Sequence, residues 1–319
     1  MAGGAAPDRD PALLAHRRAA DPVAWLAEHL AARYDEHAEE LEDPDAVRVV
    51  GIAEVLADDA TLLRGIHTGL QHDGTPPAAA ALYLADWYAG AIAGALGFCL
   101  AVGGAGYVVD PSEVRWHLHP DGWPMRVELG RPSDVLVAGG HPWGGRHDVV
   151  VLSADEVIER AVAGLVTAVA PVVDACRGLA PVGRAGLWNE VADGLGMALA
   201  FQLGVPVADP MVAVLDAAVR VPGVPWKAKP ALRWAGSTLG RIHVAQKGGC
   251  CLAYTRPDVA PEDEDEAPDP EHAEYLARFP RRPGEPRYCS TCSFRDEGDC
   301  DARQVYWLER TARTRTTAG

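Results

Sequence analysis

The sequence predicts an α+β protein: a mostly helical body with a small central antiparallel β-sheet and a C-terminal cysteine-rich module. Three observations predict it. Apolar residues recur at helical spacing through most of the chain. One central stretch alternates instead, from Glu113 to Leu129, and turns at Pro120-Asp121-Gly122. Five of the seven cysteines crowd into the last 70 residues. The chain has 319 residues, room for one large domain or two ordinary ones, and its 48% hydrophobic content supplies a real core.

Residues 1–20 read as a flexible, Ala-rich and charged lead. The body spans 21–245. Asp21 with Pro22 starts a helix through Tyr34, and further helices are expected over 46–57 and 59–70. Trp87 to Val109 carries no charged residue, which meets the length test for a membrane span. Its Ala and Gly partition weakly, Gly103-Gly104-Ala105-Gly106 breaks it, and basic flanks are thin. The expectation is a buried helix over 77–102 with no membrane insertion, and Asp86 on it faces solvent or caps. In the hairpin, Arg115, His117 and His119 share one polar outer strand face. The Gly-rich loop at 139–147 has neither a P-loop Lys-Ser/Thr nor a dinucleotide fingerprint. A strand follows at 148–152. Ser153 and Glu156 then form a capping box that opens a helix toward Leu179, kinked or broken at Pro171.

Helices over 183–203 and 209–219 come next, the first with an apolar stripe of Trp188, Val191 and Leu195. Short runs at 231–234 and 239–245 lead to the cysteines. The module spans 246–310, with an acidic insert at 258–270 too charged to pack, a short helix from Asp269-Pro270 to Phe279, and a flexible tail at 311–319.

Net charge is -16. Without a basic stripe to release counterions, nucleic acid is not an expected partner. The N-terminus has no basic region followed by an apolar one, so no signal peptide is read and a cytoplasmic location is the expectation. Cys99 and Cys176 stand alone in apolar stretches, as buried small hydrophobes do.

The chemistry lies in the remaining cysteines. Cys250 and Cys251 are adjacent; after 37 intervening residues come Cys289 and Cys292, spaced C-x2-C; Cys300 follows after seven more. Four thiolates hold zinc, a [2Fe-2S] cluster or a [4Fe-4S] cluster. A zinc ribbon wants two C-x2-C knuckles, and only one is present. Adjacent side chains on extended backbone point apart, so one centre takes both Cys250 and Cys251 only where the chain turns sharply or the centre is wider than an ion. Gly248 and Gly249 offer backbone freedom there, including positive φ, and amides that could donate to cluster sulfurs. The spacing favours [2Fe-2S] bound by Cys250, Cys251, Cys289 and Cys292. A structural zinc site, a disulfide pair and scattered structural thiols are the other readings. Cys300 is a spare thiol. Lys227, Lys229, Arg233, Arg241 and Lys247 give the approach a positive bias that would balance a negatively charged cluster.

The run Cys250-Cys251-Leu252-Ala253-Tyr254-Thr255-Arg256-Pro257, followed by Tyr288-Cys289-Ser290-Thr291-Cys292, resembles the ending of the FhuF-like ferric-siderophore reductases. Upstream, Leu187-Trp188-Asn189-Glu190-Val191-Ala192-Asp193 looks like that family's central helix. The gap between the cysteine pairs is a departure: the family's is typically much shorter, and an acidic, Pro-rich insert lengthens it here. The resemblance covers the last two-thirds of the chain and implies a palm-like α+β body. It also implies a cytoplasmic [2Fe-2S] oxidoreductase that passes one electron to a ferric siderophore, a hydroxamate by preference. With no nicotinamide or flavin motif, the electron would come from a separate ferredoxin or flavoprotein. Lys247, Arg256 and Trp188 are the candidate substrate contacts. A zinc-stapled binding or assembly protein and an iron–sulfur redox sensor are the alternatives.

Overall fold

The computed structural model describes residues 47–317, apart from 73, 121, 123, 201–207, 253–254, 256–269, 282–285 and 287. The expected N-terminal lead, the helix over 21–34 and nearly all of the acidic insert lie outside the described residues. The α+β class holds: helices dominate, and the strands form small sheets.

The described chain opens with strand β1 (Arg48–Gly51) where a helix was expected over 46–57. Val49 and Val50 suit a pleated surface, and pairing overrides the local helical pattern: Val50 lies opposite Trp116 in β3 (Arg115–Leu118). Helix α1 (Ile52–His72) follows, with non-helical backbone from Ala57 to Ala60, where the two expected helices meet.

Helix α2 (Pro77–Gly103) is the charge-poor run. It is a core helix, with 83% of its most apolar window buried. Its glycines let another backbone touch it. A Cβ added at Gly97 would lie 1.9 Å from the carbonyl oxygen of Leu195, and one at Gly194 would lie 2.4 Å from that of Gly90. Leu195 and Gly194 belong to helix α4 (Arg184–Ala200), which α2 therefore meets backbone to backbone. One π-helical turn, opened by Asp86, interrupts α2 and a second ends it.

One antiparallel sheet was expected; the described residues form three small ones. The first orders β1, β3 and β4 (Pro124–Glu128), with β3 and β4 as the expected hairpin. On its outer face His117 pairs with Glu128 at 3.2 Å. The second orders β2 (Ala105–Val108), β5 (Asp134–Ala138) and β6 (Val149–Leu152), and β5 and β6 run parallel. The Gly-rich loop makes that parallel return. It is anchored by the buried Trp143 and by His141, whose Nε2 lies 3.1 Å from the Gly103 carbonyl oxygen.

Helix α3 (Ala154–Arg177) starts at the capping box. The Ser153 N–H donates to Glu156 Oε2 at 2.9 Å, and the Glu156 N–H donates to Ser153 Oγ at 3.3 Å. The helix runs unbroken through Pro171. After α4 and α5 (Ala208–Ala218), the third sheet is the hairpin of β7 (Ala231–Ser237) and β8 (Gly240–Gln246). Helix α6 (Pro270–Arg278) matches expectation. Helix α7 (Glu297–Thr317) does not: it carries the chain in helical form through residues expected to be a tail. Its anchor is Gln304, which accepts from the Ala245 N–H at 2.9 Å and donates to the Ala245 carbonyl at 2.7 Å. Leu308 joins Ile242 and Val244 in a small core beneath the hairpin.

Candidate metal centre

The first cysteine pair hangs from the end of β8 over one face of α4. Residues three and four positions apart on α4 supply the cradle: Asp193 follows Glu190 by three and Asn189 by four. Asn189 Oδ1 accepts from the Lys227 and Ala228 N–H groups at 3.0 and 3.1 Å. Glu190 Oε2 accepts from Lys247 Nζ at 2.6 Å. Asp193 accepts from the Gly248 N–H at 2.7 Å and the Gly249 N–H at 3.0 Å. Glu190 and Asp193 are both fully buried.

This corrects the reading of the two glycines. Their amides go to Asp193, not to sulfur, and neither glycine has positive φ. Close approach requires them: a Cβ at Gly248 would lie 2.3 Å from the Lys229 carbonyl oxygen, and one at Gly249 would lie 2.9 Å from Asn189 Cβ. The sharp turn falls at Leu252, with φ +56°.

The second pair sits in a knuckle closed by the Cys292 N–H donating to the Cys289 carbonyl at 3.2 Å. Arg295, with only 5% of its side chain exposed, clamps it. Its guanidinium donates to the carbonyls of Cys289 at 2.7 Å and Tyr288 at 2.5 Å, and pairs with Asp299 at 2.5 Å. The end of β8 holds the same knuckle. Gln246 Nε2 donates to the carbonyls of Cys292 and Arg295 at 3.0 and 2.9 Å, and the Lys247 N–H donates to the Thr291 carbonyl at 2.8 Å. Both cysteine pairs therefore converge on one place although 37 residues separate them.

Cys289 makes thiol hydrogen bonds with both Cys251 and Cys292, and Cys250 lies close enough to Cys251 and Cys292 to interact electrostatically with both. The Leu252 N–H donates to the Cys250 sulfur, and the Phe294 N–H lies 3.5 Å from the Cys292 sulfur. Each of these amides follows its cysteine by two residues. The hydrogen bond from Cys289 holds the Cys292 thiol below its ordinary range, helped by the Phe294 amide. The Cys251 hydrogen bond pulls Cys289 down, but its donation to Cys292 and burial together push it up. Burial pushes Cys250 up as well.

None of the seven cysteines forms a disulfide. Among the described residues, no three His, Cys, Asp or Glu side chains converge tightly enough to close around a single metal ion. The donor chemistry nonetheless fits an iron–sulfur cluster: four gathered thiols from two segments, with N–H donors already aimed at two of the sulfurs. A diiron centre is also wider than one ion.

The candidate substrate contacts fare differently. Trp188 is 0% exposed and packs on Trp226 at 6.4 Å, so it belongs to the core and offers no wall to an external ligand. Lys247 is turned inward. Its ammonium pairs with Glu190 and lies 3.6 Å from Asp86, with 11% of the side chain exposed, so it does not reach out to a substrate. The neighbouring carboxylates raise its pKa against the opposing effect of burial. Arg256 lies outside the described residues. Cys300 is buried beneath the knuckle; its thiol donates to the Ser290 carbonyl at 2.8 Å, and burial pushes its pKa to about 11.

Other expected counter-charges are already partnered: Lys229 pairs with Asp216, and Arg233 pairs with Asp301 at 2.5 Å. Asp86, read as solvent-facing or capping, is part-exposed and faces Lys247. The sequence reading missed Arg295, Gln246 and the acids of α4 as site-building groups. An Arg three residues past the knuckle, and three polar residues within an otherwise apolar helix, were the available signals.

No family model matches the chain, and a search of curated proteins finds no match.

Proposed function

We propose that the chain is a [2Fe-2S] oxidoreductase that reduces an Fe(III)-siderophore by one electron, with Cys250, Cys251, Cys289 and Cys292 as cluster ligands. The observation that carries this reading is the convergence of these four thiols on the end of β8. Once bound, such a cluster stores and passes single electrons. The chain's own groups define its setting. Cys250 and Cys289 are part-exposed, and Phe294, next but one to Cys292, is 60% exposed, so the thiols lie near the surface where an external complex docks. No proton or group transfer is required of the protein. Siderophore oxygens are hard donors that hold Fe(III) far more firmly than Fe(II), so one electron loosens the substrate complex and leaves the chelator intact. The electron comes from a separate ferredoxin or flavoprotein, and the setting is cytoplasmic.

The test begins with anaerobically purified or reconstituted protein. Dithionite reduction should give the paramagnetic resonance signal of a reduced diiron centre. Adding a ferric trihydroxamate should restore the oxidised spectrum, with one Fe(II) trapped by a ferrous chelator per electron. Stoichiometric zinc with no iron after reconstitution refutes the cluster and leaves the zinc-stapled alternative. A reduced spectrum that the ferric complex leaves unchanged refutes the reductase and leaves a redox sensor.

A further inference from the structure

Asp193 has no exposed surface, sits mid-helix on α4, and spends both carboxylate oxygens on consecutive backbone amides of the segment just before Cys250. Burying a carboxylate is costly even when backbone amides satisfy its oxygens. Its placement there therefore has to accomplish something.

The charged groups around it are Lys247 from β8's extension, Asp86 from α2 and Glu190 on the same helix. Lys247 is the single cation in that set, and Glu190 and Asp86 already engage it. The second oxygen matters as much as the charge. Amide hydrogen bonds to cluster sulfur raise its reduction potential. Here the Gly248 and Gly249 amides are taken by a carboxylate, while the Leu252 and Phe294 N–H groups and the Thr291 hydroxyl lie against the sulfurs of Cys250, Cys292 and Cys289.

Resting on the cluster reading above, we propose that Asp193 is a positioning residue that fixes the Cys250–Cys251 turn against α4 and holds the centre's reduction potential low. Two effects act in one direction. The carboxylate places negative charge on the two amides just before Cys250, which disfavours an electron added at that end of the centre. It also withholds the Gly248 and Gly249 N–H groups from sulfur. Asn189 is the built-in comparison: it uses the same helix face to hold Lys227 and Ala228, but it is neutral and spares those two amides.

The experiment compares the wild-type full chain with Asp193→Asn and Asn189→Ala by redox titration of the reconstituted centre. Asp193→Asn keeps the shape and removes the charge. It should shift the reduction equilibrium about tenfold toward the reduced form, ~59 mV for one electron. Asn189→Ala removes no charge and frees neither glycine amide, so it should shift the equilibrium by less than Asp193→Asn does. An Asp193→Asn potential within twofold of wild type in equilibrium terms overturns the proposal.

Where the variant does not take up iron, alkylation of the iron-free full chain decides, mapped by peptide mass. Cys251 labelled at least tenfold faster, with Cys99 and Cys176 still protected, supports the positioning role; unchanged Cys251 labelling overturns it. A wild-type chain that never forms a diiron centre defeats the cluster reading by itself. The same labelling comparison then still judges whether Asp193 fixes the turn.

Discussion

Replacing Lys247 by Met should cost about 2 kcal/mol at neutral pH, and the cost should grow in alkali. The side chain reaches Glu190 at 2.6 Å inside the protein, and Glu190 has no exposed surface. Burial pushes the Glu190 carboxyl up to about 8, with Asp86 and Asp193 adding to the rise, while Lys247 pulls it down. At pH 7 the carboxyl therefore holds its proton with or without the ammonium, and what is lost is a buried hydrogen bond to a charged group, roughly 1.5–3 kcal/mol. Above pH 8 the wild type ionises beside Lys247 and the variant does not, so each further unit adds about 1.4 kcal/mol. Asp86, part-exposed and 3.6 Å away, adds little.

At pH 9 the same arithmetic adds about 1 kcal/mol. Urea unfolding of the full chain at pH 7 and pH 9 reads both numbers, since midpoint and slope give the free energy directly. Adding Glu190→Gln to the Met variant should remove the added loss at pH 9, because no buried ionisable group is then left without its partner. A loss under about 1 kcal/mol at pH 7, or one that does not change with pH, would refute the buried pair as the anchor of this loop.

Three further outcomes follow from the same geometry. Burial holds the Asp193 carboxyl up to about 6 from 3.8, against the pull of Lys247 and of the Gly248 and Gly249 amides. The folded chain thus keeps a proton that the unfolded chain releases. This stabilisation is full below the ordinary value and is lost as pH rises through 6. Relative to Asp193→Asn, wild type should therefore lose on the order of 3 kcal/mol between pH 4 and pH 7, and parallel profiles would contradict it. Gly97→Ala should cost about 3 kcal/mol or prevent folding, because its Cβ meets the Leu195 carbonyl oxygen at 1.9 Å; a wild-type melting temperature would disprove the backbone contact. Cys300→Ser keeps a donor for the Ser290 carbonyl and should leave bound iron per chain unchanged, whereas a halved iron content would place Cys300 among the ligands.

Much of the frame was legible because local signals agreed with the final packing. The Ser153–Glu156 capping box, the hairpin turning at Gly122 and the Ala/Gly run of α2 each needed only near neighbours in sequence. The misses share one physical cause, which is long-range pairing. Strand β1 exists because it pairs with β3, more than 60 residues on, and nothing in Arg48-Val49-Val50-Gly51 announces that partner. Helix α7 is rich in charge, and its fixed point is Gln304 on the backbone of Ala245, a bond that spacing does not reveal. At the site, the four thiols could be read from spacing. Their cradle could not, since Asn189, Glu190 and Asp193 look like ordinary polar residues until β8 is laid across them. Lys247 was misjudged for the same reason: a cation near cysteines suggests a substrate contact, and only the fold turns it inward.

The two halves of the thiol set meet through one residue. The main chain of Lys247 binds the knuckle at Thr291, and its side chain binds α4 at Glu190. Gln246 beside it adds two more bonds to the knuckle, and Asp193 adds two to the glycines. The positions of the four sulfurs therefore depend on the end of β8, not on the long connection between the cysteine pairs. Lengthening such a connection costs only about 0.6 kcal/mol per doubling, so an insert there is tolerated while the junction is kept. Adjacent cysteines can share a centre with a distant knuckle because a carboxylate, an ammonium and a left-handed Leu252 fix the turn that carries them.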